Sequence, residues 1–317
     1  MEAGQARLRA FSVSPRTFRL LSYVTLALLF AIVVSGATVR LTASGLGCEN
    51  WPRCGDTFLP EKDFHALVEF GNRGVGVIVG LVSLAAAIAA WRVERLPRWV
   101  VWAAAALPFT VLLQGVLGGI TVLVELHPLT VMAHFLLSLV ALAIAVVVVL
   151  GAHRGADQPA LRAPSAPAWL AAALVPSALV LVVTGALVTA AGPHSGGEDI
   201  RRIGNLEEAL HVHIGATAVF GVTFLALVVA LVLAADRFRT ELAFAAAILA
   251  VLVTQMVIGE IQWRTELPWG LVLVHVALGT AVWAGVVALA ARLLAGPIVG
   301  SPVDSEDRDA PPHRAPA

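Results

Sequence analysis

Eight long apolar stretches restrict the fold of this 317-residue chain more than any other feature of its sequence. An α-helix needs about 20 predominantly apolar residues to cross the hydrocarbon core of a bilayer, and each stretch supplies them. With 59% hydrophobic and 13% charged residues, the composition excludes an ordinary soluble domain. We predict an all-α membrane protein with eight transmembrane helices, at about residues 20–39, 67–91, 99–123, 129–151, 168–190, 207–234, 241–262 and 270–294.

The distribution of basic residues predicts the orientation of these helices. With the N-terminus inside, the inner segments contain fourteen Lys and Arg residues and the outer segments six. An excess of Lys and Arg marks the cytoplasmic side, so we expect both termini in the cytoplasm and the chain in a bacterial-type plasma membrane. The first stretch is too long for the hydrophobic region of a signal peptide. The formal net charge of zero gives no reason to expect a nucleic acid partner.

The second half of the sequence repeats the first. The segment that ends in His134 resembles the segment that ends in His275, and the interval between these histidines equals the interval between Gln114 and Gln255. A repeat unit of four helices keeps its orientation, so an axis along the membrane normal should relate the halves. We predict two pseudosymmetric four-helix bundles, residues 20–151 and 168–294, with a cytoplasmic tail at 1–19, a cytoplasmic linker at 152–167 and a disordered cytoplasmic tail at 295–317.

Four polar residues near the outer ends of the apolar stretches form the candidate site. They are Asn72, His134, His211 and His275. A polar or ionisable residue inside a membrane is expensive to bury and is therefore a functional hypothesis. Imidazoles from facing helices can hold haem iron, so His211 and His275 predict a haem site in the second half. In the first half His134 is matched only by Asn72, a poor iron ligand, which predicts weaker or open coordination. The alternative is that these histidines are hydrogen-bonded structural residues.

The choice of His211 depends on an alignment. Glu69-x-x-Asn72 in the first half is echoed by Glu208-x-x-His211 in the second. His213 competes with His211, because it lies two residues further on and therefore on a different face of the helix. The Glu-x-x-His spacing favours His211, with His213 as the alternative.

Other polar residues carry more open predictions. Glu69 begins a helix, where the helix dipole favours a carboxylate, or it is a buried carboxylate poised for proton transfer. Gln114 and Gln255 are expected to form hydrogen bonds between helices. Cys48 and Cys54 lie in the first outer loop, where an oxidising compartment favours a disulfide over two unpaired thiols. Surface and gating roles remain open for three loop histidines: His65, His127 and His194.

A long motif in the first outer loop resembles one known family. The motif is Gly36-Ala37-Thr38-Val39-Arg40-Leu41-Thr42-x-Ser44-Gly45-x-Gly47-Cys48-x-x-Trp51-Pro52-x-Cys54, followed by Glu69-Phe70-Gly71-Asn72-Arg73 and His134. Over roughly residues 20–295 the chain resembles haem A synthase of the bacterial cytochrome oxidase assembly pathway. The resemblance implies eight transmembrane helices in two pseudosymmetric four-helix bundles. It also implies oxidation of the C8 methyl of haem O to a formyl group, which gives haem A.

The resemblance also implies roles for individual residues. A haem b would be held by His211 and His275 and would relay electrons, while the substrate haem O would lie in the first half beside His134. Glu69 would accept a proton near the reacting methyl, and two successive hydroxylations would give a gem-diol that loses water. Cys48 and Cys54 would form a disulfide. Haem O synthase is the implied partner, and a homo-oligomer stays open.

The chain departs from the family pattern at one position. Many members have Glu-x-x-His-Arg in the second span, where this chain has Glu69, Asn72 and Arg73. We therefore predict that the first site is held by His134 alone or by His134 with a weak partner. Arg73, beside Glu69, is expected to pair with a haem propionate or with a lipid headgroup.

Two other functions use the same features. A dihaem electron-transfer cytochrome linked to quinol would use the same histidines and would hold two permanent haems. A transporter would also suit parallel repeats with polar residues inside the membrane. The transporter is the weaker alternative, because the polar residues cluster near one surface rather than at the midplane.

Overall fold

The eight predicted helices are all present in the computed structural model. It describes residues 12–48, 50–60, 62–154, 165–194, 196–197 and 200–295. Every helix is long and apolar enough to cross a membrane, so the protein has the composition of a multi-pass membrane protein. The helices are α1 (Pro15–Leu41), α2 (Phe64–Arg92), α3 (Arg98–Leu123), α4 (Pro128–Gly151), α5 (Ala166–Ala191), α6 (Leu206–Leu233), α7 (Ala235–Arg264) and α8 (Trp269–Ala295).

Several helices begin before the apolar stretches do, because polar residues cap them. The Ser14 hydroxyl accepts a hydrogen bond from Thr17 N, and Asn205 caps α6 in the same way. Such caps satisfy backbone N–H groups that have no partner inside the helix. The exposed Asp63 carboxylate caps α2, and its bonds from Ala66 N and His65 N lower the pKa of that carboxyl.

The boundaries of three predicted segments can be compared with the described residues. α1 begins at Pro15, so the end of the predicted tail at residues 1–19 is helical. Within the predicted linker, residues 155–164 lie outside the described part of the chain, and α5 begins at Ala166. Residue 295 ends α8, and the remainder of the predicted C-terminal tail also lies outside the described residues. α7 has a kink at Phe238, three residues before the apolar stretch begins.

The helix contacts follow the same pattern in both halves of the chain. In the first half α1 packs on α2, α2 on α3, α3 on α4 and α4 back on α1. In the second half α5, α6, α7 and α8 close a square in the same order. Between the halves, α4 packs on α8. The contact of α1 with α8 has its repeat equivalent in the contact of α5 with α4. These contacts are consistent with a twofold pseudosymmetry axis that passes between α4 and α8. In each square, α2 and α4, or α6 and α8, lie diagonally opposite one another.

Three helices of the second half, α6 to α8, are fully buried only towards their inner ends. We call the end of the molecule that carries the α1–α2, α3–α4, α5–α6 and α7–α8 connections the outer end. The buried side chains of α6 lie between Ala216 and Leu231, in the inner part of that helix. The last buried side chain of α7 is that of Ile248, and the first of α8 is that of Thr280. The outer parts of α6 to α8 are therefore less closely packed than their inner parts, whereas α5 is also buried near its outer end, at Thr184, Ala186, Ala190 and Ala191.

Candidate functional site

In the first half, two polar side chains lie on diagonally opposite helices near the outer end. Asn72 of α2 accepts a hydrogen bond from the Ser35 hydroxyl of α1, with 2.6 Å between the oxygens. His134 of α4 packs on α3, where its backbone carbonyl accepts from Gln114 Nε2 at 3.0 Å. The Gln114 amide also donates to Ser138, so it joins α3 to α4 as the sequence predicted.

The second half repeats these contacts with one exchange of residue type. His213 of α6 contacts the Thr184 hydroxyl of α5 at 3.0 Å. His275 of α8 packs on α7, and its carbonyl accepts from Gln255 Nε2 at 2.9 Å. The second predicted interhelical glutamine is thus confirmed, and an imidazole stands where the first half has an amide.

Each of the four polar side chains faces a glycine on a neighbouring helix. A Cβ atom at Gly118 would lie 3.1 Å from the His134 ring, and one at Gly259 would lie 3.2 Å from the His275 ring. Gly185 is equally close to His213, at 3.1 Å, while Gly36 is 4.0 Å from Asn72. Gly118, Gly185 and Gly259 leave each ring the room that a methyl group would reduce, whereas a Cβ at Gly36 would make only an ordinary contact with Asn72.

The contacts match Asn72 with His213 and not with His211. Ser35 and Thr184 occupy equivalent places in the repeat, and they bind Asn72 and His213 respectively. The interval in sequence from Asn72 to His213 is also the same as the interval from His134 to His275. The expected correspondence of Asn72 with His211 is therefore replaced, and this constant interval was the sequence signal that could have shown it.

His211 has different surroundings from His213. It is exposed, and its Nδ1 atom bonds to the Glu207 carbonyl of its own helix at 2.8 Å. His213 is half-buried between α6 and α5. His213, the alternative ligand in the sequence-based prediction, is therefore the histidine of this pair that contacts a neighbouring helix.

The hydrogen bonds of Thr184 favour one tautomer of the His213 ring. The Thr184 hydroxyl lies 2.9 Å from the Leu181 carbonyl, which can only accept, and 3.0 Å from His213 Nδ1. Both contacts are satisfied when the hydroxyl donates to the carbonyl and accepts from Nδ1–H, which assigns the proton to Nδ1 and the lone pair to Nε2. A histidine that is held through Nδ1–H and has a free Nε2 lone pair has the arrangement of a metal ligand.

The other two imidazoles each carry a buried nitrogen without a partner. Nδ1 of His134 and Nδ1 of His275 are inaccessible to solvent and form no hydrogen bond with any described residue. An unpaired buried polar atom costs free energy, and the same unpaired atom occurs in both repeats. The described residues contain no cluster of three or more His, Cys, Asp or Glu that could hold a metal. The two buried imidazoles with an unpaired nitrogen fit haem iron, whose other ligands come mostly from the porphyrin.

Glu69 and Arg73 attach the first outer loop to α2. Glu69 is 5% exposed, and its carboxylate accepts a hydrogen bond from Cys48 N at 2.8 Å. Its other oxygen accepts from Arg73 Nη2 at 2.6 Å. Arg73 also donates to the Arg53 carbonyl at 3.0 Å and to the carbonyl of Asn50. The guanidinium predicted to meet a propionate or a headgroup is thus already bound to a carboxylate and to loop carbonyls.

The rest of this loop is held by a disulfide and by aromatic packing. Cys48 and Cys54 form the predicted disulfide and are both buried. The Trp51 ring lies directly against Gly119 of α3. Of the three histidines predicted to lie in loops, His65 lies instead in the first turn of α2, where its Nδ1 contacts the Ser44 hydroxyl. His127 caps α4, and His194 Nε2 contacts the Leu267 carbonyl. The first loop therefore forms a fixed cover over the outer end of the first bundle.

Comparison with known proteins identifies the family. Residues 19–63 and 56–287 match the COX15-CtaA family, cytochrome oxidase assembly protein. A haem A synthase of Symbiobacterium thermophilum is 34% identical over 154 residues, which are 48% of this chain and 50% of that protein. A haem A synthase of Bacillus pumilus is 32% identical over 130 residues, 39% of this chain and 41% of that protein.

A third relative has a different name. Protoheme IX farnesyltransferase 1 of Natronomonas pharaonis is 32% identical over 116 residues, which are 36% of this chain and 25% of that protein. The matched segments thus span about half the length of these relatives or less. The family match covers most of the described helices, and on that basis the chain belongs to the cytochrome oxidase assembly protein family.

Proposed function

We propose that this protein is a haem A synthase, which oxidises the C8 methyl of haem O to a formyl group. The observation that carries the proposal is the pair of repeat-related sites near the outer end, which differ in one residue, Asn72 in the first and His213 in the second. A resident cofactor needs firm coordination, whereas a substrate must leave. The names of the relatives from Symbiobacterium and Bacillus agree with this activity.

The second half would hold the resident haem b. Its iron would be bound by His275 and by one histidine of α6, for which the contacts favour His213 over His211. When bound, a haem supplies one-electron redox chemistry that side chains lack. The protein contributes the oriented His213 ring and the space that Gly185 and Gly259 leave for the two imidazoles.

The first half would hold the substrate haem O. His134 would bind its iron, and Asn72 on the opposite helix would give no strong second ligand. Glu69 lies one helical turn outward of Asn72, and we propose that it receives the proton released from the substrate. Arg73 would position this carboxylate through their 2.6 Å ion pair.

The same proposal includes the membrane in which the protein lies and the partner that supplies its substrate. The excess of basic residues on the inner segments supports a bacterial plasma membrane protein with cytoplasmic termini and extracytoplasmic haem sites. A segment similar to this chain occurs in a protein named protoheme IX farnesyltransferase. That similarity supports a haem-farnesylating enzyme, haem O synthase, as the partner that delivers the substrate.

Haem analysis of the purified protein tests the proposal. We expect a b-type reduced-minus-oxidised spectrum together with haem O or haem A in acid extracts. Glu69→Gln should keep the b-type spectrum and accumulate haem O, because the amide cannot accept the proton. A colourless protein would refute haem binding, and two permanent b haems without haem O or haem A would indicate an electron-transfer cytochrome.

A further inference from the structure

Arg40 contacts the second half of the chain at the outer end. Arg40 ends the apolar part of α1, and its Nη2 atom donates to the Thr189 carbonyl of α5, 2.6 Å away. Beside it, Gly45 N of the first outer loop donates to the Gly196 carbonyl of the loop between α5 and α6. The Arg40 guanidinium therefore lies in the seam between the two bundles.

The partner of Arg40 is its own counterpart in the repeat. Arg40 and Thr189 are 149 residues apart, and the same interval relates Ser35 to Thr184. A residue that contacts its own repeat equivalent lies close to the pseudosymmetry axis. Because the equivalent is a threonine, the molecule has one cation at this place instead of two.

The positive charge of Arg40 has no counter-charge in the described part of the chain. Its Nε atom is inaccessible to solvent and forms no hydrogen bond there, and no described carboxylate lies within ion-pair distance of the guanidinium. An unpaired charge near the membrane is strongly unfavourable. Arg73, in contrast, is neutralised by Glu69 at 2.6 Å. Arg40 is thus a cation prepared for an anion that these residues do not provide.

The position of Arg40 along the axis of α1 indicates the source of that anion. Ser35 and Thr184, which bind Asn72 and His213, each lie five residues before Arg40 and Thr189 on their helices. At a rise of 1.5 Å per residue this is about 7.5 Å along the helix axis. The guanidinium therefore lies outward of both sites and between them. A porphyrin held by iron at either site, with its acidic edge outward, would bring a carboxylate towards it.

We propose that Arg40 binds a carboxylate group of a porphyrin held in these sites, and that it is shared between the two bundles. This inference rests on the proposed function, because it needs a bound haem. It makes Arg40, rather than Arg73, the residue that recognises the acidic edge of the ligand. A guanidinium suits this role, since it forms paired, charge-assisted hydrogen bonds with carboxylates.

The test compares iron protoporphyrin IX with its dimethyl ester, which has the same ring and no carboxylate. The full-length protein is produced in a haem-deficient host and placed in nanodiscs of neutral phosphatidylcholine, and both ligands are titrated by absorbance. Wild type should prefer the free acid by about tenfold or more, as a charge-assisted bond would give. Arg40→Gln should reduce this ratio to near one, and Arg40→Lys should restore part of it.

Arg201→Gln provides the control, because Arg201 is an exposed arginine of the other outer loop. It should keep the wild-type preference. The midpoint potential of the bound haem gives a second measurement: it should fall in Arg40→Gln, because loss of a nearby positive charge favours the ferric state. A purely structural contact would leave both the preference and the potential unchanged.

Three results would overturn the inference. An unchanged free-acid preference in Arg40→Gln would show that the carboxylates bind elsewhere. If anionic lipid stabilises the wild type but not Arg40→Gln, and the ligand preference is the same in both, the anion bound by Arg40 would be a lipid phosphate. If the double variant Glu198→Gln/Asp199→Asn loses as much stability as Arg40→Gln, and its preference for the free acid is unchanged, the anion would be a carboxylate of the loop between α5 and α6. A wild type that binds neither ligand would instead refute the proposed function itself.

Discussion

The two halves of this molecule share a set of contacts and differ at one position of the candidate site. In the first half the hydroxyl of Ser35 binds an amide, Asn72, and in the second half the hydroxyl of Thr184 binds an imidazole, His213. The opposite corner of each bundle is the same, with a histidine beside a glycine and a glutamine bonded to the histidine carbonyl. Under the proposed function, this single exchange of residue type gives the same scaffold one strong and one weak site for haem iron.

The outer covers of the halves differ as well. The first bundle is closed by a loop with a buried disulfide and by the Glu69–Arg73 ion pair. The loop of the second bundle contains no cysteine, and the outer parts of α6 to α8 contain no fully buried side chain. The more elaborate cover therefore lies over the half with the weaker ligand set, where we place the chemistry on the substrate.

The largest expected effect separates the two opposite-corner histidines. His275→Ala should lose the b-type haem by more than about tenfold in occupancy, the change that about 1.4 kcal/mol of lost binding produces. His134→Ala should retain the b-type spectrum and lose haem O and haem A from acid extracts. Haem content per protein measures both. Equal loss of the b-type haem in the two variants would show that the halves do not have separate roles.

The next prediction decides between the two histidines of α6. His213→Ala should lose the resident haem nearly as completely as His275→Ala, because it removes the ring that Thr184 orients. His211→Ala should stay within about twofold of wild type, since an exposed polar contact contributes little. Pyridine haemochrome spectra of the two variants give the answer. The opposite order would restore His211 as the ligand.

Exchanging the differing residue should make the halves more alike. Asn72→His should give the first site two imidazoles, bind the substrate haem more tightly and slow its release. Turnover should therefore fall several-fold while haem O per protein rises, a shift of about 1 kcal/mol or more. Asn72→Ala is the control and should keep the b-type haem. Loss of that haem from Asn72→Ala would contradict the assignment of Asn72 to the substrate site.

The smallest expected effect concerns the space around His134. Gly118→Ala places a Cβ 3.1 Å from the ring and should displace it, lowering haem O retention about threefold to tenfold through about 1 kcal/mol of crowding. Gly115→Ala on the same helix is the matched control, because nothing lies within 4 Å of its Cβ. Substrate haem per protein is the measurement. Similar behaviour of the two variants would remove the packing role of Gly118.

Much of the fold could be predicted from the sequence because membrane insertion depends on local composition. Each of the eight apolar stretches corresponds to one helix, and only the ends moved, as at Pro15, where the Ser14 cap extends α1. The disulfide was also predictable, since Cys48 and Cys54 are the two cysteines of the chain. The correspondence of Asn72 with His211 does not match the contacts. The local Glu-x-x-His pattern indicates His211, whereas the constant interval between the repeats indicates His213, and the contacts agree with the interval.

The sequence by itself determined the eight helices, the repeat and the residue types that can hold a porphyrin, because hydropathy and repetition are properties of the linear chain. Only the tertiary structure decided which of two histidines on α6 contacts α5, and that Arg73 is paired with Glu69 while Arg40 has no counter-charge among the described residues. Those outcomes depend on the rotation of each helix about its axis and on which loops meet at the outer end. Both are set by packing between segments far apart in the chain.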